Sequence, residues 1–439
     1  MAVSRRADAR PSRRAPNARP LRESPGDRRS LSHVGGPSET SGDPQTAARL
    51  ADALDVQAGV DDAALTHPFH AYPARMHPLT ARRSIAIALD LRAARDSLAP
   101  GATSAPAEST APRLVDPFCG SGTTLVEAFA NGTPSIGRDL SPLAVELSRL
   151  KTRRTGNETR KTIVRQAHAH ARAAQDLLRT GRVPPPPAGE APWYEPSTLR
   201  ELSLLRALIA AEPAGVVHDA MRMLLSSILV KCSLQRSDSD VRRADKNVPP
   251  GFALHWFTRK SFELVRCLRD LARAAPRECP EPDLVCDDAT QLATIPSGSV
   301  SAIVTSPPYA NTYDYAQQHA RRFAWLDLSA AEMIRKEIGS SRLMDGAADP
   351  AGEFELQLVA MCASFRRVLC VGGQAIVLIG DGAHARIALR ADEQLQRAAT
   401  GAGLRVVARA SQRRPSFSND ETAAYGSVGK REHLVLLGN

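Results

Sequence analysis

The stretch Arg113–Gly132, RLVDPFCGSGTTLVEAFANG, joins an apolar strand to a glycine-rich turn and then to a helix. The letters RLVDPF are typical of a short buried strand, and the apolar spacing after Thr123 predicts a helix that ends near Gly132. Gly120 and Gly122 allow the turn to adopt positive φ and to approach a ligand closely. Because a helix begins directly behind it, the turn favours a ligand with an anionic group.

This turn differs from two common glycine-rich loops. A phosphate-binding P-loop needs a lysine after its last glycine, but Gly122 is followed by two threonines. A dinucleotide-binding loop needs a third glycine where this chain has Leu125. The turn therefore disfavours both an NTPase and a dinucleotide-dependent enzyme.

A second strand and helix follow the turn. PSIGRDL (134–140) predicts the strand, and SPLAVELSRLKT (141–152) predicts a helix that Ser141 and Pro142 open. Strands that alternate with helices in this way predict an α/β fold with a parallel sheet. Asp139 ends the second strand, 17 residues beyond Gly122, where an acid can accept hydrogen bonds from ribose hydroxyls. The alternative interpretation is that Asp139 caps the helix that follows.

The alternation resumes after residue 280. DLVCDDA (283–289) and AIVTSPPYANTYDY (302–315) predict two more strands, GGQAIVLIGD (372–381) another, and LRVVARA with REHLVLL an antiparallel pair at the sheet edge. The second of these strands runs into Ser306, Pro307, Pro308 and Tyr309. The prolines fix φ and supply no N–H, so the serine hydroxyl and the Pro307 carbonyl are rigidly placed acceptors.

Positive charge is concentrated in the middle of the chain. The chain has 439 residues and a net charge of +10, and Val145–Glu278 contains 24 basic against 14 acidic residues. This region reads as mostly helical apart from the polar loop QRSDSDVRRADKNVPPG (235–251). A charge excess that extends over a whole segment favours contact with a polyanion over a merely solvated face.

Composition sets several further expectations. No apolar run has the length of a membrane span, and no apolar stretch follows the N-terminal arginines, so we predict neither a membrane segment nor a signal peptide. Seven cysteines without a CxxC pair predict reduced thiols and a cytoplasmic location. The eleven histidines have no metal-ligand spacing, and we predict no metal site. Residues 1–45 predict a disordered basic tail.

Taken together, the motifs resemble one enzyme family. DPFCGSGTTLVEA (116–128) and GRDLSPLA (137–144) resemble the S-adenosyl-L-methionine (AdoMet) and ribose motifs of the DNA amino-methyltransferases, which methylate exocyclic amines of bases. SPPY (306–309) resembles the catalytic motif of their cytosine-N4 group. HPFHAYPARMHP (67–78) is similar to the segment that precedes the glycine motif in this family. The resemblance covers roughly residues 65–150 and 282–439.

The resemblance implies a Rossmann-like methyltransferase fold with a mainly parallel sheet, an antiparallel edge strand and a mostly helical insertion. Residues 46–150 and 281–439 would form the methyltransferase domain, and residues 151–280 the insertion that recognises DNA. AdoMet would be the cofactor, with Asp288 chosen over Asp287 for its adenine side. The residues expected to bind it are Tyr72, Asp116, Phe118, Gly120, Ser121, Gly122, Thr123, Thr124, Asp139 and Asp288.

The implied reaction is methyl transfer from AdoMet to the exocyclic N4 of cytosine in DNA. A restriction–modification system, with a cognate restriction endonuclease as partner, is one setting that the resemblance implies. The expected catalytic residues are Ser306, Pro307, Pro308 and Tyr309, of which the first two accept the amine and the tyrosine stacks on the base. The expected DNA contacts are Arg236, Arg242, Arg243 and Lys246.

Three alternatives remain open at this stage. Adenine-N6 methylation is one, because Ser306 in place of an acid does not determine the base. RNA or tRNA guanine-N2 methylation is another, because those enzymes share the letters DPFCGSGT. The third is a protein that binds AdoMet or DNA without catalysis, against which the intact Gly120, Gly122, Ser306 and Tyr309 speak.

Overall fold

A computed structural model of the chain describes residues 36–56, 63–98, 113–416 and 418–439. The strands are β1 Ser38–Gly42, β2 Leu114–Asp116, β3 Ser135–Asp139, β4 Gln235–Ser237, β5 Asp240–Arg243, β6 Asp283–Cys286, β7 Val300–Thr305, β8 Leu369–Gly380, β9 Gly382–His384, β10 Ile387–Leu389, β11 Arg405–Arg414 and β12 Lys430–Gly438. The helices are α1 Pro44–Leu54, α2 Pro78–Leu98, α3 Thr123–Ala130, α4 Pro142–Lys151, α5 Asn157–Thr180, α6 Pro196–Ala210, α7 Val216–Cys232, α8 Phe252–Ala274, α9 Tyr315–Gln318, α10 Ala320–Leu326, α11 Ala331–Lys336, α12 Ser341–Asp345, α13 Pro350–Val368, α14 Ala391–Gly401 and α15 Asn419–Tyr425.

An eight-stranded sheet forms the centre of the structure, in the order β1-β11-β12-β8-β7-β2-β3-β6. The strands from β8 to β6 pair in parallel, whereas β12 is antiparallel to both β8 and β11. The chain starts the parallel part at β2, builds outward to β6, and then returns to β7 on the other side. This reversal beside β2 is a topological switch point, where ligands bind at the carboxyl ends of the strands. The predicted Rossmann-like α/β fold is confirmed.

Neighbouring residues of one strand supply the two opposite faces of the sheet. On β7, Ile303 packs with Leu358 of α13 and Leu395 of α14, whereas Val304 packs with Leu50 of α1 and Ile85 of α2. The alternation follows from the two-residue repeat of a strand. Because helices cover both faces, the central strands carry apolar residues on both sides of the sheet.

Two predictions about the ends of this sheet need correction. The tail was expected to be disordered through residue 45, but Ser38–Gly42 form β1, which pairs antiparallel with β11. Residues 1–35 lie outside the described residues. The antiparallel pair β11–β12 exists as predicted, but β1 covers its outer side, so neither of its strands lies at the edge.

The insertion is mostly helical, as predicted. Its helices α5 to α8 pack around a core of apolar side chains that also includes Phe323 and Trp325 of α10. The polar loop expected between α7 and α8 forms a short hairpin of β4 and β5. The insertion therefore shares one continuous core with the segment that follows SPPY.

Two further observations concern the whole of the described chain. Among the described residues, no helix combines the length and apolar character needed to cross a bilayer. All seven cysteines are described and carry free thiols.

Candidate active site

The glycine turn connects β2 to α3 with two residues in the left-handed region. Gly120 has φ +48° and Gly122 has φ +80°. A Cβ on Gly122 would lie 2.8 Å from the Ser148 hydroxyl oxygen, and one on Gly120 would lie 3.3 Å from a ring carbon of Tyr72. Both glycines are therefore required, first by conformation and then by the close approach of their neighbours.

Asp139 links this turn to the start of α4. Its carboxylate accepts hydrogen bonds from the backbone N–H of Gly120 and of Ser141, both at 2.8 Å. Helix α4 is capped by the hydroxyl of Ser141, which accepts from the Ala144 N–H at 3.4 Å, so Asp139 is not the capping residue. Burial raises the pKa of Asp139 to about 6. The carboxylate is thus rigidly held, and each of its oxygens can accept a further hydrogen bond.

A cavity lies at the carboxyl ends of β2, β3 and β7, and nine of the ten expected cofactor-binding residues line it. These nine are Tyr72, Asp116, Phe118, Gly120, Ser121, Thr123, Thr124, Asp139 and Asp288. The tenth, Gly122, is not in the lining and contributes the backbone conformation of the turn instead. We call this space the donor cavity.

Two hydroxyl groups in the donor cavity lack a protein partner. Ser121 Oγ and Thr123 Oγ1 are buried, and neither has a hydrogen-bond partner within the described part of the chain. Buried polar atoms are normally satisfied, so this pair is available to a polar group of a ligand in the cavity. Thr123 is also the first residue of α3, where the helix dipole favours an anion.

Acidic side chains make up another part of the lining. Asp116 accepts hydrogen bonds from the hydroxyl of Thr305 at 2.6 Å and from the Phe118 N–H at 3.2 Å, and its burial raises its pKa to about 6. Because Thr305 directly precedes Ser306, this contact ties the glycine turn to the SPPY strand. Asp139 lines the same cavity, so these walls favour the positively charged parts of a ligand.

The positions of Asp287 and Asp288 distinguish these two neighbouring acids. Asp288 lines the donor cavity and accepts from the backbone N–H and hydroxyl of Thr290, at 2.9 and 2.6 Å. Asp287 is outside the lining and accepts from the N–H and hydroxyl of Thr294, at 2.9 and 2.6 Å. Of the two, Asp288 is the one placed to contact a ligand.

The sequence analysis missed Glu337, which also lines the donor cavity. Its carboxylate accepts from the backbone N–H groups of Tyr315, at 2.7 Å, and Ala316, at 3.3 Å. Burial raises the pKa of Glu337 to about 7. Glu337 thus holds the start of α9 and places the Tyr315 ring in the cavity wall, where it stacks on Tyr72 with centroids 6.4 Å apart. No motif marks this glutamate.

A second, larger cleft of about 910 Å³ adjoins the donor cavity. Ser306 lines both spaces, Pro308 lines the donor cavity, and Tyr309 lines the larger cleft. Pro307 lines neither. We call the larger space the acceptor cleft, with Ser306 at its boundary with the donor cavity.

Tyr309 is more deeply packed than its expected stacking role suggests. The residue is 8% exposed, and its ring lies so close to Gly380 that a Cβ there would be 2.5 Å from a ring carbon. Its hydroxyl donates to Glu432 Oε1 at 2.7 Å, while Arg414 donates to Glu432 Oε2 at 2.8 and 3.0 Å. The flat face expected for a base is therefore largely covered, and β11 and β12 supply the network that fixes the ring.

The expected DNA-contacting residues divide into two groups. Arg236 and Lys246 line the acceptor cleft, whereas Arg242 and Arg243 do not. The Arg242 guanidinium is bound to the Asp240 carboxylate at 2.7 and 2.9 Å. Lys246 donates to the backbone carbonyl of Gln235, so it also closes the base of the β4–β5 hairpin. Arg236 also pairs with Asp240, at 3.6 Å, so the hairpin lies beside the cleft with three of its four predicted contacts already engaged within the protein.

Further basic and aromatic residues of the acceptor cleft were not predicted. Lys231, Trp256 and Lys260 come from α7 and α8, and the Lys231 ammonium lies 3.6 Å from the centroid of the Trp256 ring. Trp256 is half-buried: it packs against the core of the insertion and also lines the cleft. A positive charge stacked on an indole is a surface suited to an anionic, aromatic partner.

Comparison with known proteins gives one local relative. No protein-family model matches the chain. The Type II methyltransferase M.MvaI of Kocuria varians is 35% identical over 88 residues, which are 20% of this chain and 16% of that protein. The match therefore spans about one sixth of the length of this curated relative.

Solved structures resemble the chain only distantly. A geranyl diphosphate methyltransferase in complex with GPP and sinefungin is 11% identical, with a TM-score of 0.30 over 85% of this chain and 86% of that one. The rRNA methyltransferase aviRa from Streptomyces viridochromogenes is 11% identical, with a TM-score of 0.32 over 87% of this chain and 94% of that one.

Proposed function

We propose that the protein is an AdoMet-dependent methyltransferase that methylates the exocyclic N4 amine of cytosine in DNA. The observation that carries this proposal is the position of Ser306 at the boundary of the donor cavity and the acceptor cleft. A group at this boundary contacts a donor held in one space and an acceptor held in the other. Positioning of this kind is the main catalytic requirement of a direct transfer between two bound molecules.

The residues of the donor cavity fit AdoMet. Asp139 offers carboxylate acceptors to the two ribose hydroxyls, and Asp288 offers one to the adenine amine. Asp116 suits the cationic amino group, and the orphaned hydroxyls of Ser121 and Thr123 suit the carboxylate. When bound, AdoMet supplies a methyl group already activated on a sulfonium.

The acceptor cleft would hold the base. The lone pair of an exocyclic amine is delocalised into the ring, so the amine is a weak nucleophile until its N–H groups are held by acceptors. Ser306 lines both spaces, and its Oγ would be the acceptor, on a backbone that Pro307 and Pro308 restrict. A base inside a duplex cannot reach this point, so the nucleotide must be flipped out or single-stranded.

DNA is the proposed substrate for two reasons. Lys231, Arg236 and Lys260 give the acceptor cleft a basic wall that suits phosphates. The local relative M.MvaI is a Type II methyltransferase. That relationship also supports a restriction–modification setting, in which a cognate restriction endonuclease would be the partner. Cytosine-N4 is chosen over adenine-N6 on the resemblance of SPPY to the cytosine-N4 group.

The test is to express the gene in a host that lacks DNA methylation and to digest its DNA and RNA to nucleosides. Mass spectrometry should find N4-methylcytosine in DNA. N6-methyladenine in DNA or N2-methylguanine in RNA would show that the reaction is right and the substrate wrong. Absence of every methylated nucleoside, together with no saturable AdoMet binding by the purified protein, would reject the proposal entirely.

A pair of serine variants controls this experiment. Ser306→Ala should abolish the modified nucleoside while the protein still binds AdoMet. Ser297→Ala removes a hydroxyl at an exposed position outside both cavities and should leave the modification unchanged. Equal activity of the two variants would remove Ser306 from the reaction.

A further inference from the structure

Helix α8 carries a stripe of exposed residues, most of which are basic. Its exposed positions recur every three or four residues and so lie on one face of the helix. They are His255, Arg259, Phe262, Arg266, Arg269 and Arg273. Its opposite face is buried in the core of the insertion.

Helix α5 extends this stripe into a broader face. The ring of His168 on α5 contacts the ring of Phe262 on α8, with centroids 5.4 Å apart, so the middles of the two helices are neighbours. Exposed basic residues on α5 recur with the same helical spacing as those on α8. They are Lys161, Arg165 and Arg172. We call these residues, with the stripe of α8, the α5–α8 face.

Much of the positive charge on this face is uncompensated. Each helix has five basic and two acidic residues. The acids are already paired: Glu158 with Lys161 and Asp176 with Arg179 on α5, and Glu263 with Lys260 and Asp270 with Arg269 on α8. Within the described residues, Arg172, Arg266 and Arg273 form no ion pair.

The α5–α8 face begins beside the acceptor cleft. Trp256 and Lys260, in the first half of α8, line that cleft, and Arg259 lies next to them with its guanidinium 5.1 Å from the Trp256 ring. From Arg259 to Arg273 the helix rises by about 21 Å at 1.5 Å per residue. That length matches about six base pairs at 3.4 Å each.

We propose that the α5–α8 face binds the phosphate backbone of duplex DNA that flanks the methylated base. This inference rests on the proposed function, since it takes the acceptor cleft as the place of the target nucleotide. Arginines without acidic partners are free to pair with phosphates, and the stripe follows a straight path away from the cleft. The face would add affinity and footprint length without reading sequence.

The test replaces three arginines that are exposed and lie outside the acceptor cleft, Arg172→Ala, Arg266→Ala and Arg273→Ala together. Binding of random-sequence duplexes of about 10 and 30 base pairs is measured over a range of salt concentrations. Three lost phosphate contacts should make the slope of log K against log salt concentration shallower by about 2.7, and should weaken binding of the long duplex by up to about 500-fold at 0.1 M salt. The short duplex, which can be held at the cleft alone, should lose much less.

A control variant carries the same change in net charge elsewhere. Arg386→Ala, Arg390→Ala and Arg405→Ala are exposed and lie outside the insertion and both cavities. Equal losses for the two triple variants, or equal losses for the two duplex lengths, would overturn the α5–α8 face as a specific surface. Tighter binding of an RNA duplex than of DNA, or no duplex binding at all, would reject duplex DNA as the partner of this face.

The two proposals fail separately. Saturable AdoMet binding and methylation of DNA by the triple variant at high substrate concentration would leave the proposed function standing whatever the result for the face. Loss of AdoMet binding in the unaltered protein would instead reject the proposed function.

Discussion

Two variants of Asp139 should distinguish its role in protein stability from its proposed role in AdoMet binding. Asp139 accepts the N–H groups of Gly120 and Ser141, both at 2.8 Å. Asp139→Ala leaves two partly buried donors without a partner, which should lower the free energy of unfolding by about 2–6 kcal/mol, at about 1–3 kcal/mol each. The two N–H groups use different carboxylate oxygens, so Asp139→Asn keeps a neutral acceptor for only one of them. It also removes a charge whose burial is costly, because a pKa of about 6 in place of 3.8 corresponds to about 3 kcal/mol at neutral pH.

The cost of burying the Asp139 charge depends on pH. Burial raises the pKa of Asp139, so the penalty is absent below pH 3.8, grows up to about pH 6 and is complete above it. Asp139→Asn, which carries no charge, should therefore unfold at a denaturant concentration close to that of the unaltered protein at pH 7. Asp139→Ala should unfold at a clearly lower concentration.

AdoMet affinity should respond in a different order. A hydrogen bond to a charged acceptor contributes about 1 kcal/mol more than one to a neutral acceptor, so two ribose hydroxyls should cost Asp139→Asn about 2–3 kcal/mol. The Kd should rise by roughly 30- to 150-fold. Isothermal titration of AdoMet into the folded variant measures this directly. A Kd within threefold of that of the unaltered protein would refute the ribose role of Asp139.

The affinity of the unaltered protein should also depend on pH. Because the carboxylate is the better acceptor, the Kd for AdoMet should rise as pH falls through 6, and Asp139→Asn should reduce this dependence. Some of the pH dependence of the Kd should remain in this variant, since Asp116 in the same cavity also has a pKa of about 6. An identical pH profile for Asp139→Asn would place the titration entirely on another group.

Three further predictions follow from the same contacts. Gly122→Ala should lower the free energy of unfolding by about 1–2 kcal/mol or more, because φ is +80° and the new Cβ would lie 2.8 Å from Ser148 Oγ. Denaturant unfolding measures this loss, and an unchanged midpoint would contradict the prediction. Ser306→Ala should lower the single-turnover rate of methyl transfer with AdoMet Kd within about threefold, and a larger change in Kd than in rate would place Ser306 in the donor cavity alone. Glu432→Ala removes the carboxylate that pairs with the buried Arg414 guanidinium and accepts from the Tyr309 hydroxyl, so it should lower the free energy of unfolding by about 3–5 kcal/mol. Glu432→Gln keeps an acceptor oxygen and should lose less in the same unfolding assay, and a Glu432→Ala variant as stable as the unaltered protein would contradict this expectation.

The parallel core was predictable because its signals are local. A strand, a glycine turn and a helix occupy consecutive residues from Arg113 to Gly132, and the φ values of Gly120 and Gly122 are those that such a turn requires. The helix start at Ser141 and the acid at Asp139 follow within the next few residues. Short-range geometry of this kind depends little on the rest of the chain.

Predictions that depended on distant partners were less reliable. Ser38–Gly42 have the composition of a tail, and their strand exists because β11 offers an unpaired edge. Tyr309 was expected to present its face to a base, yet Gly380 and Glu432 cover and hold it from more than 70 residues further along the chain. Glu337 carries no motif at all, and its position in the donor cavity results from the packing of α9.

The sequence alone determined the class of fold, the glycine turn and the order of the residue types that a methyl-transfer site needs. The tertiary structure decided which of those side chains share a space: Ser306 lines both cavities, Asp288 lines one of them and Asp287 neither, and exposed arginines lie on the neighbouring helices α5 and α8. The physical reason is the range of the interactions. Turns and helix caps are decided by neighbours in sequence, whereas cavities and charged faces are decided by packing between segments far apart in the chain.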